Sequence, residues 1–210
     1  MAVTLNAGRP VSAPMFTHGM GLALEFNLRS EPQLELARWL ENAGVDVPHV
    51  LNLAGPIVEH DIVVFPGGMF DFLAPGSADS VRAIVHLVVG EDAETPIDLV
   101  AWTRERPDRM FRCLGVAQAI GTDQLFNPAS YFAGRPLRVH RSALAWLASG
   151  CHGVVPLDCA AIRNRLDFLP LELDHCRLAA ESLTHGRALR DALAPLPARV
   201  RILVPRAEAV

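Results

Sequence analysis

The sequence predicts an α/β protein of mixed α+β character: one mixed β-sheet with a central hairpin and helices packed against it, in a single domain over residues 1–210. Three observations predict it. Half of the 210 residues are hydrophobic, enough to bury a sizeable core. Strand-like and helix-like segments alternate in the second half, whereas the first half contains a hairpin. No repeat, low-complexity stretch or linker divides the chain.

Residues 1–25 mix Gly, Pro, Ser and Met without clean periodicity and read as an irregular N-terminal arm or an edge strand. Ser30-Glu-Pro-Gln then supplies a helix start, with Ser30 as N-cap and Pro32 just inside. Leu34, Ala37, Trp39, Leu40 and Ala43 follow near helical spacing and Gly44 stops the run, which predicts a helix over 31–43. Pro56 to Phe65 is β-rich and is closed by Pro66-Gly-Gly68, a strand ending in a turn. Two apolar strands, 80–89 and 96–102, flank the polar Gly90-Glu-Asp-Ala-Glu-Thr95 and read as a β-hairpin. Their apolar character on successive residues predicts a central place with both faces covered.

Beyond the hairpin, Met110 to Ile120 reads as a short helix stopped at Gly121, and Leu125 to Phe132 as a loop. Pro136 to His140 is a short strand. Leu144, Trp146, Leu147 and Ala148 form an apolar helical face after a Ser142 cap, ended by Gly150. A strand over 153–157 follows. Helices from Cys159 towards 168 and over about 171–193 come next, and a strand over 199–205 closes the chain.

All nineteen basic side chains are arginine; the chain has no lysine. A Walker A loop and a kinase strand both require that amine, and Schiff-base chemistry requires an amine whose pKa can fall. P-loop NTPase, protein kinase and pyridoxal-phosphate classes are therefore disfavoured, and no cofactor is expected. Apolar runs such as 62–65 and 87–89 are far shorter than a bilayer span, so no membrane partner is expected. The N-terminus lacks the pattern of a secretory signal, and four unevenly placed cysteines read as reduced thiols. A cytoplasmic location is the expectation.

The formal net charge of −4 hides an asymmetry: residues 1–102 carry net −9 and residues 103–141 net +4. The basic island comprises Arg104, Arg106, Arg109 and Arg112, with Arg135, Arg138 and Arg141 behind it. Arginine matches phosphate bidentately, so this island is a candidate contact surface for nucleic acid or an acidic protein partner. Its bland alternative is a solvated loop whose arginines pair with Glu105, Asp108 and the acidic N-terminal half.

The stretch His140 to Ala160, with two cysteines, two histidines and an aspartate, invites two chemistries. Cys151, His152 and Cys159 are candidate metal ligands, with His175 and Cys176 further on. No CxxC pair exists, however, and an intervening strand carries Cys151 and Cys159 apart. Cys151 follows a helix C-terminus, whose dipole raises a thiol pKa, the reverse of a nucleophile elbow. The stretch therefore reads as a packed helix, turn and strand. Among the acids, Asp92 sits at the hairpin tip, Asp98 in an apolar strand and Asp158 at a strand end. They are candidate catalytic carboxylates for a metal-dependent nuclease or phosphotransferase, with Asp158 also a natural helix N-cap. Asp158-Cys-Ala160 lacks the second Asp of a Toprim-type site.

Four segments, residues 96–102, 146–155, 180–186 and 201–205, together resemble a group of uncharacterised proteins encoded in prophages and other mobile elements of GC-rich bacteria. The resemblance covers approximately residues 80–205. It implies a phage or mobile-element setting; the group has no assigned catalytic residues, so none is carried over. The leading expectation is a non-enzymatic binding protein that uses the arginine-rich surface. A metal-dependent nuclease or phosphotransferase is the first alternative, and a structural or assembly protein forming a homo-oligomer the second.

Overall fold

The first β-rich half closes on itself as a barrel. The computed structural model describes residues 21–27, 30–73, 78–166 and 176–205. Helix α1 covers 21–27, α2 Leu34–Asn42 and α3 Val47–Ala54. Strands β1 (Ile57–Phe65), β2 (Met69–Phe72), β3 (Val81–Val89), β4 (Pro96–Trp102) and β5 (Met110–Arg112) form a closed barrel in the order β1-β2-β5-β4-β3. Barrel closure is by a short parallel pairing of β2 with β5, Met69 opposite Arg112; the remaining pairings are antiparallel.

The single mixed sheet expected from sequence is therefore corrected to a closed barrel and two smaller sheets among the described residues, although the mixed α and β character holds. After the barrel come β6 (Ala119–Ile120), α4 (Thr122–Phe126), a 3-10 segment (Pro128–Gly134), β7 (Leu137–Val139), α5 (Ala143–Ala148) and β8 (Val155–Pro156). Helix α6 (Cys159–Arg165), β9 (Cys176–Ala180), α7 (Leu183–Ala192) and β10 (Val200–Leu203) follow. β6 pairs with β8, and β10-β9-β7 form an all-parallel three-stranded sheet.

The β3–β4 hairpin forms with the expected ends, and its two-sided burial has a simple cause. Val85, Leu99 and Ala101 point into the barrel with Val58, Ile62, Phe70 and Phe111. The alternate residues Ile84, Val88, Val100 and Trp102 point outward beneath α2, α3 and α5, against Leu36, Leu40, Val50 and Trp146. Both faces are thus core. Of the expected N-terminal arm, residues 1–20 lie outside the described residues, while 21–27 are helical and Phe26 is buried with the barrel core.

Several elements differ from expectation for traceable reasons. Ser30 does not cap α2: its hydroxyl donates to Phe26 O, and Gln33 takes the N-cap position. The Gln33 amide instead clasps Glu59 of β1, accepting from its N–H at 2.7 Å and donating to its carbonyl at 3.0 Å. Helix α3, unforeseen, starts at an Asp46 cap with Pro48 in its first turn. The expected helix over 110–120 is replaced by β5, a loop and β6, because the backbone N–H groups of that loop are taken by Asp98. The expected loop over 125–132 is α4 and the 3-10 segment. The expected helix over 171–193 is β9 followed by α7; residues 171–175 lie outside the described residues. Ser142, Asp158 and Ser182 each cap the helix that follows them.

Candidate functional site

Asp98 is 1 % exposed, and its two oxygens accept four backbone N–H groups. Leu99 and Leu114 donate to one oxygen at 2.8 and 2.7 Å, Val116 and Ala117 to the other at 2.8 and 3.0 Å. Arg112 completes the clamp from the other side, donating to the carbonyls of Gly115 and Ala117 at 3.4 and 2.9 Å. Its guanidinium also lies 3.7 Å from Asp158. One carboxylate and one guanidinium therefore fix the loop that leads out of the barrel. Asp98 has no acceptor left over for a metal or a water.

The other two candidate carboxylates serve local turns. Asp92 accepts from Glu94 N, Thr95 N and the Thr95 hydroxyl, and those bonds, led by the hydroxyl, hold its carboxyl below the usual range. Asp158 accepts from Ala161 N at 2.9 Å as the cap of α6. The neighbouring Glu91 forms an ion pair with Arg165 of α6, which also lies over Phe126. Among the described residues, no group of three or more His, Cys, Asp or Glu side chains converges to hold a metal.

The Cys151 turn is a packing device. Cys151 adopts φ +62°, and the turn around it is fixed by Gln124, which donates to Cys151 O at 2.7 Å and accepts from Gly153 N at 2.8 Å. Trp146 Nε1 donates to Gly153 O at 3.0 Å. Gly153, at φ +96°, has no room for a Cβ: one would meet Arg138 O at 2.5 Å. Burial pushes the Cys151 thiol up to about 12, so it stays protonated at neutral pH. Burial also raises the Cys159 thiol, with the Asp158 carboxylate adding to it. His152 is exposed, and its backbone carbonyl, not its ring, ties the turn to Ser149 and His140.

His140 and Glu181 stand at adjacent carboxyl ends of the parallel strands β7 and β9, a placement the sequence reading missed. The His140 ring has Nδ1 3.2 Å from Glu181 Oε1 and Nε2 2.8 Å from His152 O, so both nitrogens are occupied. His185, which accepts from Glu181 N, is pulled below its usual pKa by burial, against the pull of the Glu181 carboxylate. The cluster binds the strand ends together and leaves no free ring nitrogen on His140 for general-base work.

The arginines divide into two groups. Arg104 is committed internally: its Nε bonds Glu59 at 2.5 Å and its guanidinium lies 5.2 Å from the Trp39 ring centre. Arg106 pairs with Asp108 at 3.4 Å, Arg109 covers Phe111, and Arg112 holds the loop clamp. Most of the barrel-end island is thus neutralised or spent on structure.

The second group belongs to the parallel sheet. In its register Arg201 is opposite Arg177, while Arg138 and Leu203 flank Ala179. One face therefore carries Arg138, Arg177, Ala179, Arg201 and Leu203. The other carries Leu137, Val139, Cys176, Leu178, Ala180, Val200 and Ile202, all buried beneath α6, α7 and the 3-10 segment. Arg138 and Arg201 are exposed and Arg177 is half-buried, donating to Gly134 O at 3.4 Å. Among the described residues none of these three forms an ion pair. Arg135 and Arg141, both exposed, bracket β7 at its two ends.

Of this face only Arg138, with its neighbours Arg135 and Arg141, belongs to the basic island of the sequence. Arg177 and Arg201 were available from period two in Cys176-Arg-Leu-Ala-Ala180 and Val200-Arg-Ile-Leu203, where arginine falls on the polar phase. Among the described residues no helix is long and apolar enough to cross a membrane. No family model, curated protein or solved structure matches the chain.

Proposed function

We propose that the protein is a non-enzymatic binding protein that holds a nucleic acid on the open face of its parallel sheet. The observation that carries this reading is the one-sided cover of β10-β9-β7. All-parallel sheets are almost always buried on both faces, yet here, among the described residues, one face is open and offers three arginines with no acid between them. Guanidinium forks match phosphate oxygens, and Arg135 and Arg141 extend the basic track along β7. The prophage or mobile-element setting implied by the resemblance supplies nucleic acid as the abundant polyanion. An acidic protein surface is the competing partner.

The test is fluorescence anisotropy of labelled single-stranded DNA, duplex DNA and RNA at two salt concentrations, with magnesium present and products run on a gel. Three phosphate contacts on a single strand give about a 20-fold loss of affinity between about 50 and about 200 mM salt. Reversal of Arg138, Arg177 and Arg201 to Glu lowers affinity at least about tenfold at the lower salt, because it converts attraction to repulsion at every contact. Reversal of Arg104, Arg106 and Arg109 has the smaller effect. If only that second triple abolishes binding, the barrel-end island is the site instead. Cleavage lost in Asp158→Asn would move the reading to the nuclease alternative.

A further inference from the structure

We infer that the polyanion is a single-stranded nucleic acid, one of whose bases stacks on Phe132 next to the arginine face. This rests on the sheet-face reading above and adds to it a substrate class.

Phe132 is 75 % exposed, the highest among the described large hydrophobic residues. A tight turn presents it. Tyr131 is buried and its hydroxyl donates to Leu125 O at 2.9 Å, which anchors the 3-10 segment from inside. The backbone then leaves helical geometry at Phe132 (φ −54°, ψ 140°), and Ala133 follows in the left-handed region (φ 56°, ψ 28°) with Gly134 at φ +71°. Arg135 N donates to Phe132 O at 3.2 Å and closes the turn. Positive φ at both central residues is the pattern of a type I′ turn, in which glycine is at ease and alanine is strained. Strain of this kind persists where the surrounding structure enforces it, and it gathers at ligand-binding positions.

The same turn is joined to the basic face. Gly134 O accepts from Arg177 at 3.4 Å, and Arg135 stands at the turn's end. An exposed aromatic ring therefore sits within a few residues of two guanidinium groups, the combination by which proteins hold single strands: a ring for a base, cations for the phosphates on either side of it. Duplex DNA offers no free base face to such a ring, and an acidic peptide needs the charges alone.

The experiment compares fluorescein-labelled oligothymidylate, alone and annealed to its complement, on the full chain and on Phe132→Ala and Phe132→Trp. Phe132→Ala is expected to weaken single-strand binding by about 5- to 150-fold without changing the salt slope, to leave duplex binding unaltered, and to be rescued by Phe132→Trp. Equal loss on duplex and single strand, or no loss on the single strand, overturns the inference. If Phe132→Ala is silent while the reversal of Arg138, Arg177 and Arg201 abolishes binding, anion binding by the sheet face stands and the base platform alone falls. If neither variant changes binding, both fall together.

Discussion

Asp98→Asn is expected to lose about 4 kcal/mol of folding stability, because bonds to a charged acceptor are worth about 1.5–3 kcal/mol each. The substitution preserves shape but converts one oxygen into an NH2. The N–H groups of Val116 and Ala117 then face a donor, or those of Leu99 and Leu114 do, and two buried bonds vanish with nothing to replace them. Against the roughly 5–15 kcal/mol typical of a domain, that loss is severe. Urea denaturation at neutral pH checks it. A change below about 1 kcal/mol would mean that water takes over the acceptor role and that the loop is not held as described. The same variant separates two roles for Asp98: a carboxylate used only in catalysis would lose turnover in the amide with its stability intact.

The second large effect is on pH. His86 is fully buried in β3 and stacks on Trp146 with ring centres 6.0 Å apart. Its Nδ1 lies 3.1 Å from Leu87 O, and its Nε2 has no hydrogen-bond partner among the described residues. Burial lowers its pKa from 6.5 to about 4, the Leu87 carbonyl opposing that shift. Between those two values the unfolded chain takes up a proton that the folded chain refuses. Stability is therefore full above pH 6.5, falls as pH drops towards 4, and levels off below it. The total loss attached to this one ring is about 3 kcal/mol. Urea midpoints across that window, compared with His86→Leu, isolate it: the variant should lose that part of the slope and keep what the carboxylates and His185 contribute. Parallel profiles for the two proteins would show that the His86 ring is already protonated in the fold.

Local signals made much of the fold legible. The hairpin, β1, α2, α5 and the Asp158 cap are each encoded within a few residues: apolar alternation, a glycine stop, a side-chain oxygen placed before an apolar run. What escaped depended on distant partners. Met110 to Ile120 has helix-compatible spacing, yet its amides belong to Asp98 in the preceding strand. Barrel closure depends on a single opposed pair, Met69 and Arg112, and no pattern in either segment announces it. β9 was lost inside a run of good helix formers because its alternation lasts only from Cys176 to Ala180.

The candidate interface escaped for a similar reason. Counting charge along the chain favours clusters adjacent in sequence, and so it selected Arg104 to Arg112, whose side chains fold back on Glu59, Asp108, Phe111 and Ala117. The open face draws one arginine from each of three strands, and only the sheet register puts them side by side.

Barrel closure at Arg112 also sets an order of unzipping. β3 and β4 pair along most of their length, whereas the β2–β5 seam has one opposed pair and the bond from Arg112 N to Gly68 O at 3.0 Å. Opening is cheapest where the fewest bonds must break. Because Arg112 also grips Gly115 and Ala117, a parted seam loosens the exit loop in the same event. In hydrogen exchange, the amide of Arg112, bonded to Gly68 O across the seam, should exchange faster than those of 84–88 in the β3–β4 pairing. The barrel then behaves as a clasp with a single catch, and the residue that fastens it also tethers the second half of the chain.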